Sequence, residues 1–230
     1  SFEWIATGQH GKMHDEVLAF FGVEASKRLS IEYDGAHLSN LVHQLYRELG
    51  NEFASETEKF GVIVQGDTTS AMCAANAAFL HRVPCFHVEA GLRTNDIYSP
   101  YPEEFNRRAI SLTADLHFTP TAAATSSLLS EGILQSKIVE TGNTVVDAIQ
   151  LAMPIVQEDP EKVVTLPDGL GLSMLDELDF VLATFHRREN FGDGVKQFAS
   201  AILSFVDETN CSVVLPVHKN PNVFGPLQFF

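Results

Sequence analysis

Carboxylates, histidines and arginines recur in this chain just after apolar, strand-like runs. Gly66-Asp67-Thr68-Thr69 follows Val62–Gln65, and the run that begins at Val83 ends in His87-Val88-Glu89-Ala90-Gly91-Leu92-Arg93-Thr94. Pro102 precedes Glu103 and Glu104, with Arg107 and Arg108 four residues beyond them. Farther on come His186-Arg187-Arg188-Glu189-Asn190 and His218-Lys219-Asn220. Three successive side chains able to carry positive charge make a seat for a pyrophosphate. Carboxylates move protons and stabilise the positive charge that builds on a sugar ring as its C1–O bond breaks. The combination suits chemistry on a nucleotide-activated sugar.

Each residue also has a plainer reading. Asp67 can simply cap the helix that follows it. His87 and Glu89 lie two apart on a strand, which predicts that both point to one face. That face lacks a third ligand at useful spacing, so no metal is expected. Glu103 and Glu104 stand where a helix dipole favours acids, and pairing with Arg107 and Arg108 explains most of those charges. The His186-Arg187-Arg188 cluster has no such explanation. Neither GxGxxG nor a P-loop pattern occurs, so nothing points directly to a nicotinamide or P-loop site.

These turns need a scaffold. Apolar runs at Ser1–Thr7, Val62–Gln65, Val83–Glu89, Leu116–Thr119 and Ile138–Glu140 read as strands. Ser70–His81, Glu103–Ala114 and Thr121–Glu131 have helical length between them, the last ended by Gly132. Leu38, Leu41, Val42, Leu45 and Leu49 repeat with helical spacing before Gly50. Strand, turn and helix in alternation predict βαβ units and a parallel sheet, so the class is α/β. In such sheets ligands collect at the C-terminal ends of strands. Residues 1–150 read as a first Rossmann-like domain, 151–178 as a connector and 179–230 as the beginning of a second. That second part holds strands at Phe180–Thr184 and Ser212–Val217 and a helix at Val195–Val206.

A net charge of −15 over 230 residues argues against nucleic-acid or anionic-membrane binding, which needs a basic face. A phosphate site needs only local cations and backbone N–H groups. Cys73, Cys85 and Cys211 are scattered and odd in number, which reads as reduced thiols in a cytoplasmic protein. No signal peptide or membrane span is expected.

Several long motifs then carry a resemblance. His87-Val-Glu-Ala-Gly-Leu-Arg-Thr94, Ser99-Pro-Tyr-Pro-Glu-Glu104 with Asn106-Arg107, and Thr141-Gly-Asn-Thr-Val-Val-Asp-Ala148 are three of them. His186-Arg-Arg-Glu-Asn190, Pro216-Val-His-Lys-Asn-Pro221, Thr7-Gly8-Gln9-His10 and Gly66-Asp67-Thr68-Thr69 complete the set. Taken along the chain, they resemble the signatures of non-hydrolysing UDP-N-acetylglucosamine 2-epimerases. The resemblance implies a glycosyltransferase-B-like fold of two Rossmann-like domains, here expected to be truncated at both ends. It implies interconversion of UDP-GlcNAc and UDP-ManNAc through a 2-acetamidoglucal, without a metal or other cofactor, in a homodimer serving polysaccharide biosynthesis.

By position, the resemblance makes Asp67, Glu89, Glu103 and His186 catalytic, and Arg93, Arg187 and Asn190 substrate-binding. Gln9, His10 and His218 match an effector site, although Lys12 and Ala36-His37 depart from the family pattern there. The competing functions are a hydrolysing epimerase, another nucleotide-sugar enzyme of the same fold, and a non-catalytic fragment. The chain by itself is expected not to turn over substrate.

Overall fold

Four short parallel strands organise the first part of the molecule, in the order β3 (Val62–Gln65), β4 (Cys85–Val88), β5 (Leu116–Thr119) and β6 (Ile138–Glu140). Each is joined to the next by a helix or a helix with its flanking turns: α3 (Thr69–Leu80), α4 (Glu103–Thr113) and α5 (Ala122–Ser130). Before them come β1 (Ile5–Ala6), α1 (Gly11–Phe20), β2 (Lys27–Arg28) and α2 (Leu38–Ser55), with β1 and β2 forming a separate parallel pair. The computed structural model describes residues 2–9, 11–33, 37–159, 179–185 and 193–216. The chain divides into two compact units, Ser1–Ile155 and Val156–Phe230.

The core of the first unit follows from spacing. Leu41, Leu45, Leu49 and Phe53 fall four apart on α2 and are all buried, so one stripe of that helix faces inward. Full burial of a leucine contributes about 2 kcal/mol from removed apolar surface. On α3 the buried positions are nearly all small: Ala71, Cys73, Ala75, Ala77 and Ala78. Small side chains let α3 lie close between α2 and α4. Polar bonds join the three helices, with Asn76 Nδ2 donating to Tyr46 Oη at 3.0 Å and Thr113 Oγ1 donating to Asn76 Oδ1 at 3.3 Å.

Across one face of the sheet, Val64, His87, His117 and Ile138 stand side by side in register. All four are buried. Two imidazoles thus occupy the centre of an otherwise apolar row, their rings 6.5 Å apart.

The strands at Val62–Gln65, Leu116–Thr119 and Ile138–Glu140 lie where the sequence predicts them. One long helix was missed. This is α6 (Thr144–Glu158), so the connector expected from residue 151 begins as helix. Val145, Val146, Ile149 and Met153 lie on one exposed face of it, and Pro154 lies inside it. An internal proline reads against a helix in the sequence. In the second unit β7 (Phe180–Leu182) and β8 (Ser212–Val214) pair in parallel, with α7 (Asp193–Thr209) between them in sequence. Val195 and Ala199 are the buried residues of α7. Among the described residues no helix is long and apolar enough to cross a membrane.

Candidate active site

Asp67 sits at the C-terminal end of β3, after Gly66 has turned the chain with φ +71°. It does not cap α3. Thr68 does, its hydroxyl accepting the Ala71 N–H at 3.2 Å. The Asp67 carboxylate is held instead by Arg107, whose Nε and Nη2 lie 2.8 and 2.7 Å from Oδ2. Asn106 Nδ2 donates to the Asp67 carbonyl at 2.8 Å. Arg107, expected to pair within its own helix, therefore reaches across to the strand end.

Glu89 follows the last residue of β4 and has φ +64°, in the left-handed region. Strand alternation stops there, so the prediction that His87 and Glu89 share one strand face does not hold. His87 is fully buried on the strand, whereas Glu89, past the strand end, is half-buried. The Ala90 N–H donates to the Phe118 carbonyl at 2.9 Å, and Gly91 takes φ +87°. A Cβ on Gly91 would lie 2.4 Å from the Ala124 carbonyl oxygen, so only glycine lets the turn sit down on α5.

Glu103 opens α4, one turn before Asn106 and Arg107 and on the same helix face. That face is the one bonded to Asp67. Glu89 and Glu103 are both half-buried, and among the described residues neither carboxylate has a hydrogen-bond or ion-pair partner.

Glu104 behaves quite differently. It is fully buried and accepts from the Thr94 and Asn95 N–H groups at 3.0 and 3.3 Å. It also accepts from Arg108 Nε at 3.0 Å and Arg107 Nη1 at 3.4 Å. Burial works to raise its pKa, but the Thr94, Arg108, Asn95 and Arg107 donors outweigh it and hold the carboxyl below its ordinary value. Beyond it Glu131 meets Arg108 at 3.6 Å and takes a two-pronged bond from Arg93, Nε at 2.7 and Nη2 at 2.8 Å. The Arg93 bonds hold the Glu131 carboxyl below its ordinary value. The charges alternate along one chain: Asp67, Arg107, Glu104, Arg108, Glu131, Arg93.

Arg93, matched above to a substrate contact, has a side chain only 3% exposed. Its remaining bonds run to the Ser111 hydroxyl and the Leu92 carbonyl, both at 2.8 Å. Gln9 Oε1 accepts from the N–H and the hydroxyl of Ser70 at 2.9 and 2.6 Å, tying the first turn to the start of α3. His10, His186, Arg187, Asn190 and His218 lie outside the described residues. Among the described residues no group of three His, Cys, Asp or Glu side chains is arranged to hold a metal.

The family model described as UDP-N-acetylglucosamine 2-epimerase matches residues 1–229. The chain belongs to that family. Over 226 residues it is 37% identical to the UDP-N-acetylglucosamine 2-epimerase of Neisseria meningitidis, covering 96% of this chain and 59% of that relative. The Escherichia coli K12 enzyme of the same name is 36% identical over 222 residues, covering 96% of this chain and 58% of the relative. Among solved structures, that of the Neisseria meningitidis UDP-GlcNAc 2-epimerase bound to UDP-GlcNAc superposes with a TM-score of 0.88 at 34% identity. It covers 100% of this chain and 61% of the other. The Methanocaldococcus jannaschii UDP-GlcNAc 2-epimerase, in complex with UDP-GlcNAc and UDP, gives 0.81 at 27% identity, over 98% of this chain and 60% of the other. This chain thus spans about three fifths of the curated relatives it matches. The class expected for this 2-epimerase family, α/β with parallel sheets and glycosyltransferase-B-like, is the one found.

Sequence reasoning passed over Glu104, Asn106 and Glu131 as site scaffold. Glu104 had a local signal in its spacing to Arg107 and Arg108. Glu131 had none, because 38 residues separate it from Arg93.

Proposed function

We propose that the complete protein carrying this chain interconverts UDP-N-acetylglucosamine and UDP-N-acetylmannosamine. The observation that supports this reading best is the contrast among the three carboxylates that an epimerase of this family would use. Asp67 is ion-paired to Arg107, whereas Glu89 and Glu103 have no partner among the described residues. A carboxylate held in place by an arginine suits stabilisation of positive charge. An unpartnered one can take and return a proton.

In the proposed reaction the C1–O bond to UDP breaks while one free carboxylate takes the C2 proton, leaving the 2-acetamidoglucal and UDP. The C2 proton becomes labile as C1 gains cationic character. A UDP oxygen then adds back to C1, and a proton reaches C2 from the opposite face. Glu89 and Glu103 are the proton carriers in this reading and Asp67 is the electrostatic partner. His186, Arg187 and Asn190 hold the diphosphate and take up charge as UDP departs. Arg93 acts through Glu131 and Ser111 as a positioning group for its loop. Gln9, with His10 and His218, belongs to an effector site whose occupancy would be felt at α3 through Ser70.

The protein acts as a cytoplasmic homodimer without a cofactor in this reading, and three free cysteines are consistent with a reducing compartment. The test is to identify the sugar product by NMR after incubating the complete protein with UDP-GlcNAc. UDP-ManNAc supports the proposal, whereas free ManNAc would assign the chain to hydrolysing chemistry.

A further inference from the structure

We propose that His87 is a positioning residue for this site: as its Nε2–H tautomer it clamps the Gly66 carbonyl and so fixes the Asp67 turn against β4. The inference rests on the reading of Asp67 and Glu89 as carboxylates that face substrate.

The ring of His87 is fully buried, and its Nε2 lies 2.8 Å from the Gly66 carbonyl oxygen. A carbonyl only accepts, so Nε2 must carry the proton. Nδ1 has no hydrogen-bond partner among the described residues, and in a neutral ring protonated at Nε2 it is bare. The clamp is closed from the other side by the Gly66 N–H, which donates to the Val88 carbonyl at 3.0 Å. Both polar groups of Gly66 are thus bound to β4.

Those bonds matter because the turn has little else. Gly66 is in the left-handed region, and a Cβ built on it meets nothing within 4 Å. Among the described residues nothing stands on the Cβ side of Gly66, and its recorded ties are the two hydrogen bonds to β4. Asn106 and Arg107 anchor Asp67 from α4, and His87 anchors the residue before it from β4. His87 also lies two residues before Glu89 on the same chain segment, so one imidazole sets the spacing between two carboxylate-bearing turns. The ring itself stands between Val64 and His117 in the buried row, its plane 72° from that of His117.

Two measurements on the complete protein test this. Nitrogen-15 NMR of histidine-labelled protein between pH 6 and 8 should show His87 with a protonated Nε2 and a bare Nδ1. The opposite tautomer, or an averaged signal, would overturn the clamp whatever the activity. In parallel, His87→Gln places an amide N–H near the position of Nε2 and should keep kcat within about threefold. His87→Asn is too short to reach Gly66 and should lower kcat roughly 10- to 100-fold, the scale of an ångström-sized misplacement, with UDP affinity by calorimetry unchanged. A folded His87→Asn protein with wild-type kcat overturns the positioning role. Failure of the wild type to act on UDP-GlcNAc would instead sink the proposed function, and the tautomer would still decide the clamp.

Discussion

Arg107 places two nitrogens within 2.8 Å of a single oxygen, Oδ2 of Asp67, from a helix that starts 36 residues beyond it in sequence. In the proposed function that bond makes Asp67 and Arg107 act as one unit. Asp67→Asn and Arg107→Met should each lower kcat/KM about 100-fold, the scale of a lost transition-state contact. The double variant should be little worse than the poorer single one. Steady-state rates of the three variants decide this, and fully multiplicative losses would separate the two residues.

In the proposed reaction Glu89 and Glu103 carry the proton, and among the described residues neither has a partner. Glu89→Gln and Glu103→Gln should each reduce kcat roughly 100-fold or more while the fold stays intact. Circular dichroism checks the fold and a coupled assay the rate. Near-normal turnover in both would remove them from the chemistry.

Glu104 should behave as scaffold. Glu104→Gln removes charge from a buried group bonded by two arginines and two N–H groups. Urea unfolding should show a loss of about 2–3 kcal/mol, the range for hydrogen bonds to a charged group. An unchanged unfolding midpoint would contradict the buried network.

Acid should weaken the first unit through its histidine pair. Burial lowers the pKa of both His87 and His117 from 6.5 to about 4, with the Gly66 bond acting in the opposite sense at His87 and the His87 ring adding to the lowering at His117. Between pH 6.5 and 4 the unfolded chain therefore binds more protons than the folded one, and stability falls as pH falls. At 1.36 kcal/mol per pH unit the full effect is about 3 kcal/mol for each imidazole. Glu104 and Glu131, whose folded pKa values are lowered, add a further loss as the pH drops below the ordinary carboxyl value. Chemical denaturation at pH 7.5 and pH 5 should show about 2 kcal/mol of the histidine loss for each imidazole, and His117→Leu should shrink it. A slope unaffected by that substitution would mean that the pair is not the source.

Two glycines with similar φ should respond differently to alanine. Gly91→Ala drives a Cβ to 2.4 Å from backbone on α5, whereas Gly66→Ala meets open space. Gly66→Ala should cost about 1–2 kcal/mol, the left-handed penalty alone. Gly91→Ala should cost more than that, and thermal unfolding of the two variants compares them directly. Equal losses would deny the close approach of the Gly91 turn to Ala124.

Periodicity made the helices with one apolar stripe legible, and α2 with its buried Leu41, Leu45 and Leu49 is the clearest case. It missed α6, which carries Pro154 in its interior. Motif order disclosed the turns that carry Asp67, Glu89 and Glu103. What those carboxylates do was not legible, because their difference lies in partners. Arg107 had Glu103 and Glu104 as nearby alternatives, and only the folded chain shows that it also takes Asp67. The left-handed Glu89 was hidden for a related reason: strand alternation says nothing about the residue at which a strand stops.

In the proposed reaction Glu89, just past β4, and Glu103, at the start of α4, exchange the C2 proton of a UDP-sugar. Incubating the complete protein with UDP-GlcNAc in deuterium oxide and following the sugar ring by proton NMR tests it most directly. UDP-ManNAc carrying deuterium at C2 is expected, with Glu89→Gln and Glu103→Gln suppressing both exchange and product. Epimerised product that retains its C2 hydrogen, or exchange untouched by either substitution, would contradict it.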